Sequence, residues 1–278
     1  MGKISAADVK KLRDLTGAGM MDCKKALTEA EGDLDKAIEI LRKKGQKLSA
    51  KRADREAKEG VVIAKVSDDK TKGVIVKLSC ETDFVAKNED FVKMTESFAN
   101  IALENFPSTK EELLSLSFDG NGITIGDKVT EQVGVIGEKL ELSAYERVEA
   151  AQVAPYVHMG NKAGVLVGLN KATDASFDAG RDVAMQVAAM RPVALDKDNV
   201  DPSIIEKEIE IGKEQARQEG KPEAILEKIA KGKLNKFFKD STLLNQQFVK
   251  DSKKSVKEYL QSVESGLTVT DFKHIELG

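Results

Sequence analysis

The chain has 278 residues, enough for about two domains and a core that needs no cross-links. It is 41% hydrophobic and 33% charged, and 44 Lys and Arg against 47 Asp and Glu leave a formal charge of −3. This balance excludes a uniformly basic surface that would grip phosphate backbones, so direct nucleic-acid binding is not expected.

Residues 1–45 read as a small three-helix domain. Ser5 is placed to cap a first helix with Val9, Leu12 and Leu15 as its apolar stripe, broken by Gly17-Ala18-Gly19. A second helix turns Ala26, Leu27 and Ala30 inward and stops at Gly32. Asp33 caps a third, in which Leu34, Ala37, Ile38 and Leu41 follow helical spacing until Gly45 ends it. So small a core leaves apolar side chains over for a partner, and the glycine-containing loop is the natural point of contact. Residues 46–60 read as a basic linker, with Lys47, Lys51, Arg52, Arg55 and Lys58 and no aromatic residue to stack on a base.

Residues 61–155 and 156–202 read as two related α+β subdomains with antiparallel sheets. Val61–Val66, a polar turn at Asp68-Asp69-Lys70 and Val74–Cys80 form a hairpin pattern, followed by a helix capped by Asn88 with Phe91, Met94, Phe98 and Ile101 on one face. A shift of 91 residues overlays Gly73, Val74, Val76, Leu78, Thr82 and Asp83 on Gly164, Val165, Val167, Leu169, Thr173 and Asp174, and a second helix with Val183, Val187 and Met190 follows. The two copies are expected to share a sheet or pack side by side. Between them, Ser108 and Glu111 have capping-box spacing, and Val129, Val133 and Ile136 mark another amphipathic helix. Residues 203–240 read as an inserted antiparallel coiled-coil hairpin, with Ile204, Ile205, Ile211, Ile225 and Ile229 as its seam and Gly220-Lys221-Pro222 at its tip. Residues 241–278 return to the core through Phe248-Val249, a helix at Val256–Val263 and a strand from Thr268 to Ile275.

Catalytic motifs are few. His158 and His274 are the only histidines and have no metal-site spacing, while Cys23 and Cys80 are too isolated for a disulfide framework and read as small buried hydrophobes. No Gly-x-x-x-x-Gly-Lys-Ser/Thr occurs, and neither Gly17-Ala18-Gly19 nor Gly134-Val135-Ile136-Gly137 continues into a dinucleotide fingerprint, so no cofactor or metal is expected. Met1–Ala6 has no apolar leader core, and no 18-residue apolar run occurs, which fits a cytoplasmic chain away from membranes.

One departure stands directly after the shared Thr-Asp pair. Thr82-Asp83 is followed by Phe84, whereas Thr173-Asp174 is followed by Ala175. From pattern alone Phe84 either folds back beside Phe91 or points outward to a partner, and Met20 and Met21 read as helix core or as a soft contact surface.

Two segments carry a family resemblance. Leu15-Thr16-Gly17-Ala18-Gly19-Met20-Met21-Asp22-Cys23-Lys24-Lys25-Ala26-Leu27 and Cys80-Glu81-Thr82-Asp83-Phe84-Val85-Ala86-Lys87-Asn88 resemble the two signatures of the bacterial elongation factor Ts family, and the layout of the whole chain is similar. The resemblance implies a guanine nucleotide exchange factor for elongation factor Tu, without covalent chemistry, in which Asp83 and Phe84 wedge beside the magnesium site of the GTPase. It further implies contacts by Thr82, Val85, Gly17, Ala18, Gly19, Met20, Met21 and Lys24, and by Ile136, Gly137 and His158. Phe248 and Val249 are weaker candidates, because Gln246-Gln247 stands where the family often has Gln-Pro. A homodimer within a larger complex is compatible with the hairpin. The rival readings are a ribosome-associated RNA-binding protein that uses the linker, and an enzyme with a pocket that has no local signature.

Overall fold

The computed structural model describes residues 4–120 and 122–278; Met1–Lys3, part of the leader reading above, lie outside the described residues. Helix α1 (Ala6–Thr16) starts at a capping box, in which Ser5 Oγ accepts from the Asp8 N–H and Asp8 accepts from the Ser5 N–H. It ends at Gly17, whose φ of 69° is the left-handed geometry that glycine adopts without strain. Helix α2 (Met20–Glu29) and helix α3 (Leu34–Arg52, capped by Asp33) complete a core of Val9, Leu12, Cys23, Ala26, Leu27 and Ala37.

Helix α3 does not stop at Gly45. It runs seven residues further, so seven of the fifteen residues read as a linker are helix. After it come strand β1 (Glu59–Val66), strand β2 (Lys72–Cys80), helix α4 (Asp83–Ala86), helix α5 (Glu89–Asn105), helix α6 (Lys110–Ser115) and helix α7 (Ile125–Ile136). Gly45 is there for packing: α3 crosses α7 so closely that a Cβ on Gly134 would lie 2.9 Å from Gly45 Cα, and one on Gly45 would lie 3.0 Å from Thr130 O. Val135 of α7 packs on the three-helix core, which ties the N-terminal helices to the rest of the chain. The segment between α3 and β1 is held at two points, since Lys139 Nζ donates to the carbonyls of Ala53 and Arg55. Helix α6 is capped by Thr109 with Glu112, one residue later than the spacing of Ser108 and Glu111 suggested.

Strand β3 (Glu141–Glu149) completes a first antiparallel sheet of order β1-β2-β3. Strand β4 (Gln152–Val157) and strand β5 (Ala163–Leu169) begin a second sheet, so the expected division at residue 155 falls inside a strand. Next come helix α8 (Asp174–Met190), helix α9 (Pro202–Gln218), helix α10 (Glu223–Ser241), strand β6 (Gln247–Phe248), strand β7 (Asp251–Ser255) and helix α11 (Val256–Val263). Strand β8 (Val269–Glu276) closes the second sheet in the order β4-β5-β8. The outer face of the first sheet carries Val61, Ile63, Val74 and Val76 against Phe91 and Phe98 of α5; Val165, Val167 and Leu169 of the second pack with Val183 and Val187 of α8.

The inner faces meet in a layer of Val62, Ile75, Val148, Val153, Leu166 and Ile275. The 91-residue shift is visible in this contact. A Cβ on Gly73 would collide with Val153 and Leu166, and one on Gly164 would press on Val62 and Ile75, which are the shifted positions. The backbone repeats the relation: the Val62 N–H donates to Asn161 O at 2.8 Å and the Val153 N–H to Lys70 O at 2.6 Å. The two units therefore pack face to face about a local pseudo-twofold axis. Each hairpin turn closes on the first strand of the other unit.

The hairpin of α9 and α10 has a tighter seam than expected. Gly212, Ala216, Leu226 and Ala230 are buried along it, while Ile211 and Ile225 are exposed; small residues let the helix axes approach closely. Pro222 sits at the N-cap of α10, just before its first turn.

The α3–α7 crossing yields a paired stability prediction. Gly134→Ala should cost about 1–3 kcal/mol by forcing the helices apart. Gly232→Ala, in α10 with open space around it, should stabilise by about 0.5–1 kcal/mol. Urea denaturation of the two variants beside the parent measures both signs.

Candidate protein-binding site

The two signature segments meet in one groove. Its walls include Leu15 and Gly17 from the end of α1, Thr82, Phe84 and Val85 around α4, Met94 of α5, and Val135, Ile136 and Glu138 at the end of α7, around about 810 Å³. The α3–α7 crossing makes this possible by fixing the N-terminal helices beside the first sheet.

Phe84 stands out of the groove. Its side chain is 83% exposed, on the outer side of a four-residue helix in which every residue is at least partly accessible. It does not fold back on Phe91, which is buried in the core beneath. Asp83 beside it accepts from Lys87 Nζ at 2.6 Å; that bond holds the Asp83 carboxyl below and the Lys87 ammonium above their ordinary ranges.

The turn is anchored by two carboxylates. Glu138 Oε2 accepts the N–H groups of Glu81 and Thr82, each at 3.0 Å, and Oε1 accepts the Thr82 hydroxyl at 2.6 Å. Glu81 reciprocates: Oε1 accepts the Lys139 N–H at 2.6 Å and Arg52 at 2.7 Å, and Oε2 accepts Arg55 at 2.9 Å. Burial works to raise the pKa of Glu81, but the Lys139 N–H and the two guanidinium groups outweigh it and bring it down to about 2. Two basic residues of the linker, which the rival RNA-binding reading would use, are thus spent on an internal lock. Cys80, one residue earlier, is buried with its thiol pushed up to about 12, which rules out a thiolate nucleophile at neutral pH.

Other sequence-predicted residues fall outside this groove. Met20 and Met21, 59% and 64% exposed, line a neighbouring apolar groove with Lys24, Ile4 and Val9, and Asp14 borders both grooves. Ala18 is buried and Gly19 precedes α2, so these two shape the loop. Gly137 ends α7 in left-handed geometry just before Glu138. His158 is exposed on the β4–β5 turn, bonded to the Tyr156 hydroxyl at 3.1 Å, and lines a separate cleft. Phe248 is a correction: it is buried and stacked on Tyr259 at 4.0 Å, so of this pair only Val249 is available to a partner.

Sequence reading missed three contributors. Leu15 was assigned to the core stripe, yet it is 58% exposed on the groove wall, because the helix ends at the next residue and its last turn overhangs the small core. Glu81 stands within the second signature segment and Glu138 follows the contact candidate Gly137, and neither had a local signal for its bonding role. The groove combines a projecting aromatic ring with apolar walls and a fixed backbone, which suits docking of another protein.

The lock has a pH signature. Its folded pKa is depressed, so Glu81 contributes stability that is fully present above its unfolded value near 4.5 and is lost as pH falls through about 2. Glu81→Gln should cost about 1–3 kcal/mol at neutral pH, with the gap to the parent narrowing as pH drops from 4.5 toward 2; urea titrations across that range measure it.

No helix among the described residues is long and apolar enough to cross a membrane, and no cluster of metal-ligating side chains is found among them. A family model described as elongation factor TS matches residues 81–278. Over its whole length the chain is 58% identical to elongation factor Ts of Christiangramia forsetii and 57% identical to that of Flavobacterium psychrophilum, in each case covering all of the relative. It is 47% identical to elongation factor Ts of Porphyromonas gingivalis over 274 residues, 99% of this chain and 98% of the relative. With the family profile opening at the Glu81 anchor and relatives matched from end to end, the chain belongs to the elongation factor Ts family.

Proposed function

We propose that this chain accelerates release of GDP from elongation factor Tu in the cytoplasm, by docking the groove and its neighbouring apolar surface on the GTPase and inserting Phe84 near the magnesium site. One observation carries the reading: a phenylalanine 83% exposed on an anchored turn, directly after the Thr-Asp pair that the two copies share and where the second copy has alanine. No bond is made or broken in the partner. Phe84 displaces packing behind the phosphate-binding elements and Asp83 makes the accompanying polar contact, so that the magnesium arrangement loosens its hold on the β-phosphate. Returning nucleotide weakens the complex by the same factor, which lets the chain act repeatedly.

One side chain does not supply the whole effect. A ten-thousandfold acceleration needs about 5.5 kcal/mol, against roughly 1.5–3 kcal/mol for burying one phenylalanine. The remainder comes from breadth of contact: Leu15, Met20, Met21 and Lys24 at the N-terminal helices, Val85 and Ile136 in the groove, and His158 and Val249 on the second unit. Among these contacts the ring contributes most to the rate of release, and Leu15, on the groove wall, contributes mainly to affinity.

Catalytic amounts of the chain should speed the loss of labelled GDP from elongation factor Tu. Phe84→Ala should lower the maximal stimulated rate by about ten- to a hundredfold with little change in melting temperature, because the ring is exposed in the free chain. Leu15→Ser should raise the half-saturating concentration by about fivefold and leave the maximal rate close to that of the parent. Stopped-flow fluorescence separates the two parameters, and an unstimulated partner would refute the reading.

A further inference from the structure

The internal repeat supplies its own control for the wedge turn. In the second unit Thr173 caps α8 locally: its N–H donates to Ser176 Oγ at 2.8 Å, and its hydroxyl oxygen accepts the Ser176 N–H at 3.0 Å. The position that matches Ser176 under the 91-residue shift is Val85, which has no side-chain acceptor. The Thr82 N–H therefore has no capping box to enter, and Glu138, 56 residues away in sequence, accepts it instead. Each threonine hydroxyl donates to a distant glutamate, Glu138 in the first unit and Glu264 in the second. Only Glu138 also takes backbone N–H groups, those of Glu81 and Thr82. The helices that follow differ accordingly. Thr173 opens an unbroken 17-residue helix, whereas Thr82 opens a four-residue turn that ends before Asn88 caps the next helix.

We infer that Glu138 is a positioning residue for Phe84. The Thr82 hydroxyl oxygen still caps the Val85 N–H, and the Glu138 carboxylate supplies the missing returning half of the box, fastens the exit of β2 to the end of α7, and so lets the turn carry Val85 where the second unit has Ser176. Val85 is half-buried against the first core and also lines the groove, so a polar cap at that position would spend an apolar contact. The inference rests on the exchange reading for its consequence and on hydrogen-bond geometry for its cause, and the two are measured separately.

In Glu138→Ala, the Glu81 and Thr82 amides should exchange with solvent at least tenfold faster, and the maximal rate of GDP release should fall about tenfold with less than a threefold change in half-saturation. Glu138→Gln keeps an acceptor for both amides and a donor for the Thr82 hydroxyl oxygen, so it should restore most of the rate. Combined with Phe84→Ala, Glu138→Ala should add little further loss, because both act through one ring. Should Glu138→Ala melt too low to assay, Glu138→Asp, whose carboxylate is one methylene short, should show the same pattern in weaker form. Unchanged amide exchange, a maximal rate within twofold of the parent, or losses that multiply in the double variant would each overturn the inference. If the parent itself fails to stimulate release, the exchange reading falls, and amide protection still decides whether Glu138 holds the turn.

Discussion

Four carboxylate oxygens hold the working end of this molecule in place. Those of Glu138 take two backbone N–H groups and a hydroxyl, and those of Glu81 take a third N–H and two guanidinium groups. Hydrogen bonds to charged acceptors are roughly twice as strong as neutral ones, and these tie together three pieces of chain far apart in sequence: the end of α3, the exit of β2 and the loop after α7. The turn that carries Phe84 is fixed without needing Phe84 itself. That freedom is the condition for leaving a large apolar side chain in water.

Beneath the lock lies a scaffold of two similar units that use each other as their second layer. A three-stranded sheet with a helix on one face still has an apolar inner face to cover, and here the cover is its own duplicate. Close contact at the seam demands absent side chains at Gly73 and Gly164, and the reciprocal bonds of Val62 and Val153 satisfy backbone groups at the hairpin turns. Two copies in one framework leave one free to diverge. The second keeps an ordinary capped helix at Thr173, while the first turns the equivalent corner into a projection.

Local patterns in the sequence were the readable ones. The hairpin at Val61–Cys80, the helix behind Asn88, the caps at Ser5 and Asp33 and the 91-residue repeat all rest on interactions within a few residues, and each is found where alternation, spacing or capping chemistry placed it. Gly45 was misread because glycine serves both as a helix stop and as a point of close approach, and only the position of Gly134 on another helix separates the two uses. Arg52 and Arg55 looked solvated because their partner Glu81 is 29 and 26 residues away. Leu15 kept its helical phase but lost its cover at the helix end, and Phe248 found Tyr259 across a fold that no periodicity encodes. In the candidate site, the projecting residues could be picked out as a departure between copies. The groups that hold them could not, since their bonds span 26 to 58 residues.

An anchored turn matters for binding more than for folding. Ordering a flexible loop on association typically spends part of the contact energy on lost conformational freedom, and a side chain already presented in its bound orientation avoids most of that loss. On the proposed reading the gain for Phe84 would exceed what its buried area alone suggests, because the backbone that carries it is already ordered. The same rigidity allows a wedge to act as one. A ring on a loose loop would have no fixed base, whereas here the backbone that carries the ring is fastened to sheet and helix. The Gly45–Gly134 crossing likewise fixes Leu15 and the N-terminal helices beside the groove that Phe84 borders, so both signature segments belong to one scaffold.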